Sequence, residues 1–146
     1  MRLRTLGLIL LLCVSGCLPR KVLTQARVGG KVTRGGIPFV GAKVHFSGGF
    51  SGHGKVFEAV TDPQGAFRLP GEEGWRWYVM AAETEYRWRL VVDFEGVELA
   101  KAAGRAVGEF QAPEALAIDC DVDRPVNESC KATGGGTQLG GPVDFQ

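Results

Sequence analysis

Histidines and a row of aspartates are the side chains in this sequence best suited to metal or acid–base chemistry. The two histidines, His45 and His53, lack the Cys and His spacing of a zinc site. Asp119, Asp121 and Asp123 alternate, so on a strand they would share one face. An EF-hand calcium loop needs Gly at its sixth position and Glu at its twelfth, and neither occurs when counting from Asp119. We therefore expect a solvated acidic edge, and no metal or cofactor.

Two short segments alternate aromatic and basic residues: WRWY, which begins at Trp75, and YRWR, which ends at Arg89. On strands, Trp75 and Trp77 would share one face, while Arg87 and Arg89 would point away from their aromatic neighbours. We expect the tryptophans in the core, because aromatic side chains supply much of a small domain's buried area. The alternative is a binding surface formed by Trp75, Trp77, Arg87 and Arg89, since Trp, Tyr and Arg dominate binding hot spots.

The N-terminus has the features of an export signal. Two arginines precede an apolar run over residues 6–12, which suits a signal peptide and is too short to span a bilayer. The run ends in Val14-Ser15-Gly16-Cys17, which resembles the bacterial lipobox. The resemblance implies cleavage before Cys17, acylation of that cysteine, and, with Leu18 next, sorting to the outer membrane. A secretory signal in which the cysteine is incidental is the alternative.

Cys120 and Cys130 are separated by ten positions. In an oxidising periplasm such a pair predicts a disulfide. Closing a loop of this size stabilises a fold by about 2.5–3 kcal/mol on the chain-entropy relation. Two free thiols are the alternative that the spacing leaves open.

Composition indicates one globular domain. The chain has 146 residues, of which 45% are hydrophobic and 23% charged, and its formal net charge is +1. Its apolar content is too high for a disordered chain. Its charge argues against a nucleic-acid-binding protein, which needs clustered Lys and Arg. No pattern of serine, base and acid marks a catalytic nucleophile, so we expect no enzymatic activity.

Most of the chain alternates apolar and polar residues in short segments separated by Gly, Pro and Asp, the pattern of β-strands. Seven such strands with turns every 8–12 residues predict a β-sandwich. The predicted strands cover residues 28–33, 42–46, 56–61, 67–69, 75–81, 86–94 and 116–122. Residues 48–54 read as a flexible loop, and residues 100–106 as at most one helical turn.

Three segments resemble the carboxypeptidase regulatory-like domain: Val28–Thr33, Gly36–Val44 and Thr61–Leu69. They match the motifs G-x-V, G-x-P-x-x-G-A-x-V and T-D-x-x-G-x-F. The resemblance implies a seven-stranded, transthyretin-like Greek-key sandwich, and its motifs carry no catalytic residue. In the third segment we expect the Thr and Asp side chains to cap a turn, its Gly to be left-handed, and its Phe to enter the core. The whole chain is also similar to small bacterial lipoproteins that contain such a domain.

These observations predict four regions: a signal peptide (1–16), a lipidated tether (17–26), the β-sandwich (27–123) and a Gly-rich tail (124–146). We expect a non-catalytic lipoprotein that is anchored through Cys17 to the outer membrane, faces the periplasm, and binds a periplasmic protein or a cell-wall ligand. Two alternatives stay open: an immunity-type lipoprotein that neutralises a toxin, and an enzyme accessory or cryptic hydrolase.

Overall fold

The computed structural model describes residues 19–50, 54–77, 85–107 and 111–134, and these residues form strands and turns without a helix. The predicted all-β class is confirmed. The strands are β1 (Pro19–Gln25), β2 (Arg27–Arg34), β3 (Ile37–Pro38), β4 (Lys43–Phe50), β5 (Val56–Val60), β6 (Ala66–Leu69), β7 (Glu72–Trp77), β8 (Glu85–Phe94), β9 (Val97–Val107), β10 (Ala115–Asp121) and β11 (Cys130–Thr133). The predicted signal peptide and Cys17 lie outside the described residues. Within the described part of the chain, no helix has the length and hydrophobicity needed to cross a membrane.

The strands belong to three sheets. A five-stranded sheet has the order β11-β10-β2-β3, with β6 also paired to β2. A four-stranded sheet has the order β5-β4-β8-β9, and β1 and β7 form a separate two-stranded ribbon. The β10–β2 pair is parallel and the other pairs are antiparallel.

The two larger sheets share one hydrophobic core. Val32 and Ile118 enter it from the five-stranded sheet, and Phe46, Trp88 and Leu90 enter it from the four-stranded sheet. Along β8, buried and exposed residues alternate, because successive side chains of a strand point to opposite faces. The architecture is therefore sandwich-like.

The molecule has two ends, and each end carries exposed apolar side chains. At the ribbon end, Arg76 of β7 lies 3.4 Å above the ring of Phe50, the last residue of β4. At the turn end, Phe39, which follows β3, contacts Phe94, the last residue of β8, with ring centroids 5.2 Å apart. Strand β8 runs from one end to the other. Its ten residues span about 30 Å at the rise per residue of a β-strand.

Strand β9 replaces the helical turn expected at residues 100–106. Its small residues oppose large side chains of β8: Gly104 pairs with Trp88 and Ala102 pairs with Leu90. A Cβ atom at Gly104 would lie 2.5 Å from the Trp88 ring. The Ala- and Gly-rich composition of this strand therefore provides room for the aromatic ring of its neighbour.

Three further segments differ from the sequence-based expectation. Residues 19–25 of the expected tether form β1, because they pair with β7. Within the expected tail, residues 130–133 form β11, because they pair with β10. β4 continues to Phe50, into the expected loop. The described residues form eleven strands where seven were expected, and the Greek-key connection stays a prediction.

Candidate functional site

The outer face of the β1–β7 ribbon carries two exposed tryptophans. Trp75 is 71% exposed and Trp77 is 67% exposed. They oppose Lys21 and Pro19 of β1 respectively, so all four side chains share one face. The expectation that Trp75 and Trp77 are core residues is wrong, because both indoles are exposed and, among the described residues, β7 pairs with β1 alone.

Charge on this face is balanced locally. The Lys21 Nζ atom lies 2.9 Å from Oε2 of Glu73. The hydrogen bond and charge of Lys21 lower the pKa of Glu73, so the Glu73 carboxylate stays ionised at neutral pH. The tryptophans are therefore the main apolar feature of a face that has little net charge of its own.

The opposite face of the ribbon rests on the sandwich. The Arg76 guanidinium stacks on Phe50, and burial lowers the pKa of Arg76. Phe50 in turn contacts Tyr86, with centroids 5.3 Å apart, and the Tyr86 hydroxyl accepts a hydrogen bond of 3.2 Å from the Ala26 amide. This packing fixes which face of the ribbon is turned outward.

Arg87 and Arg89 lie on the outer face of the four-stranded sheet, as the strand alternation predicts. The Arg87 Nη2 atom lies 2.8 Å from Oε2 of Glu85, and this contact lowers the pKa of Glu85 and raises that of Arg87. The Arg89 Nη2 atom lies 4.0 Å from Oε2 of Glu98. Both arginine side chains lie on the face of the four-stranded sheet that is opposite to Phe50, whereas the exposed tryptophans belong to the β1–β7 ribbon. The four residues of the predicted binding surface therefore do not form one face.

His45 lies on the same outer sheet face, between two carboxylates. Its Nδ1 atom is 3.1 Å from Glu58 and its Nε2 atom is 2.5 Å from Asp93. Because the acids contact opposite sides of the ring, they do not converge on a common point. Within the described ranges, no three His, Cys, Asp or Glu residues are grouped to hold a metal ion. His53 lies outside the described residues.

The cysteine pair is bonded. Cys120 and Cys130 are direct register partners in β10 and β11, their Cα atoms are 4.0 Å apart, and their sulfur atoms lie at disulfide distance. The predicted disulfide is thus present in the structure. It fixes β11 and the intervening loop to the five-stranded sheet.

The aspartate row of β10 has a structural role. Asp119 accepts a hydrogen bond of 3.0 Å from the Lys31 amide, and Asp121 accepts one of 3.2 Å from the Gly35 amide. Asp119 and Asp123 are exposed, as expected for a solvated acidic row, but the expected edge position is wrong, because β10 lies between β11 and β2.

At the turn end, the turn predicted from the T-D-x-x-G-x-F segment is confirmed for its Asp, Gly and Phe. Asp62 Oδ1 accepts from the Ala66 amide at 2.8 Å. The expectation that Thr61 caps the same turn is wrong, because its hydroxyl donates to the carbonyl of the distant Phe39 at 2.7 Å. Gly65 is left-handed, with φ of 69°, and the Phe of this segment is buried. These contacts hold the turn end in a defined conformation.

Four aliphatic side chains at the turn end are each more than half exposed, and we name them the apolar rim. They are Ile37, Val40, Val60 and Val97. Sequence reasoning missed them, although a signal was available: Ile37 lies between Gly36 and a proline, and Val97 follows a Glu-Gly turn. An apolar residue beside a turn signal is a candidate for exposure.

Comparison with known proteins found no matching family model, no similar curated protein and no similar solved structure.

Proposed function

We propose that the protein is a non-catalytic lipoprotein of the bacterial envelope. It is anchored in the outer membrane through an acylated Cys17 and faces the periplasm. Its sandwich binds a periplasmic protein through the apolar rim. The fold proposed with it is the transthyretin-like Greek-key sandwich of the carboxypeptidase regulatory-like domain. The geometry of the Thr61–Gly65 turn supports this fold.

The distribution of exposed apolar residues carries the proposal. Seven large hydrophobic side chains are exposed in the described part of the chain. Four form the apolar rim at the turn end, two are Trp75 and Trp77 at the ribbon end, and Val56 lies on an edge strand between them. Exposed apolar side chains that share one end of a domain are candidates for a contact surface.

The chemistry of the apolar rim favours a protein partner. Its members are aliphatic, and such side chains pack against the apolar core of a protein interface. A cell-wall glycan would stack on aromatic rings, and the exposed tryptophans lie at the opposite end of the molecule. Because about 30 Å of strand separates the two ends, a partner at the rim would be held away from the anchored end.

The test is recovery of a cross-linked partner from envelopes that contain tagged protein. We compare the wild type with a rim variant, Val97→Ser, and with Val56→Ser as a control of equal polarity change at a similarly exposed valine. Circular dichroism verifies that each variant is folded. We expect one partner to be recovered with the wild type and the control, and to be lost with the rim variant.

Recovery of the same partner with the rim variant would contradict the proposal. A toxin as the recovered protein would assign the immunity alternative, and retention on purified peptidoglycan would assign a cell-wall ligand instead.

A further inference from the structure

We infer that the outer face of the β1–β7 ribbon lies against the bilayer surface, with Trp75 and Trp77 inserted among the lipid headgroups and upper acyl chains. The inference depends on the proposed acylation of Cys17. It gives the ribbon face a partner, the anchoring membrane itself, that is separate from the protein proposed to bind the rim.

Covalent geometry brings this face close to the lipid anchor. Pro19 is the first residue of β1 and opposes Trp77. Cys17 precedes Pro19 by two residues, so their Cα atoms are at most about 7 Å apart. A cross-strand pair adds about 5 Å. Trp77 therefore lies within about 12 Å of a residue whose acyl chains would be inserted in the membrane.

The chemistry of the face suits the membrane interface. Tryptophan concentrates at the boundary between hydrocarbon and water, because its ring is apolar and its N–H group can donate a hydrogen bond. Lys21 is paired with Glu73 in the same face, so attraction to anionic lipid contributes little and insertion of the indoles contributes most.

The structure also gives the face a fixed orientation. Arg76 holds the back of the ribbon on Phe50, so the two indoles project together on the side away from the core. Because β8 extends about 30 Å from this end, the same placement would direct the apolar rim toward the periplasm.

Tryptophan fluorescence in vesicles tests the inference. The full acylated protein, purified from membranes, is reconstituted into phosphatidylcholine vesicles whose acyl chains carry bromine, a contact quencher. The sequence has three tryptophans, and the third, Trp88, is 2% exposed and serves as an internal reference. We expect bromine to quench the emission of Trp75 and Trp77, and the W75F/W77F variant, which retains only Trp88, to be unquenched.

A positional control uses the other end of the molecule. In the W75F/W77F background, Val97→Trp adds an exposed indole at the turn end, and we expect its emission to resist quenching. Flotation of the vesicles verifies in each case that the protein is bound to them.

The outcomes separate the inference from the proposed anchor. Protein that floats with the vesicles while Trp75 and Trp77 remain unquenched overturns the membrane contact and leaves the anchor intact. Unquenched emission that is shifted to the blue would assign the face to a second copy of this chain instead. Protein that fails to float overturns both the anchor and the inference.

Discussion

Replacing Trp77 by Ala should leave the fold nearly intact, whereas the same change at Trp88 should destabilise it severely. Trp77 is 67% exposed, which leaves about one third of a side chain of roughly 250 Å² buried. At about 25 cal/mol per Å², this area contributes at most about 2 kcal/mol, and alanine retains part of it. Trp88 is 2% exposed and stacks on Phe46, so its truncation leaves a cavity and should cost about 3–5 kcal/mol.

Urea denaturation followed by far-ultraviolet circular dichroism measures both free energies of unfolding. This signal is preferred to fluorescence, because each variant loses one of the three tryptophans. A Trp77→Ala variant that loses as much stability as Trp88→Ala would refute the assignment of Trp77 to an exposed face.

Three further perturbations, the first with a matched control, test the stability of the fold. Gly30→Ala should lower the free energy of unfolding by more than about 3 kcal/mol, because its Cβ would overlap a backbone carbonyl of the neighbouring strand. Gly29→Ala, where the nearest atom is 3.6 Å away, should cost about 0.5 kcal/mol or less in the same urea titration. Burial raises the pKa of Tyr86 to about 12. The unfolded chain therefore releases this proton first, and stability should fall by about 2 kcal/mol between pH 10 and pH 12; an equal fall in Tyr86→Phe would contradict this reasoning. Reduction of the Cys120–Cys130 disulfide should cost about 2.5–3 kcal/mol, and an unchanged melting temperature in reductant would exclude that contribution.

Local features of the fold were predictable from the sequence. The turn at Asp62 and Gly65 was predicted correctly, because its hydrogen bonds join residues within four positions of each other. The alternation that buries Trp88 and exposes Arg87 and Arg89 was equally predictable, since it depends only on the two-residue period of a strand.

Features that depend on a distant strand were not predictable. Alternation indicated that Trp75 and Trp77 share a face, but which face of the ribbon is covered depends on the contact of Arg76 with Phe50 of the distant strand β4. The strand character of β9 depends likewise on Trp88 in the neighbouring strand, which needs the space above Gly104. A segment's own composition contains neither piece of information.

Mass spectrometry of the amino-terminal peptide from protein extracted from bacterial envelopes tests the lipoprotein assignment most directly. We predict a chain that begins at Cys17 and carries the added mass of thioether- and amide-linked acyl groups. An N-terminal peptide that retains residues 1–16, or a mature Cys17 without acyl mass, would contradict the account.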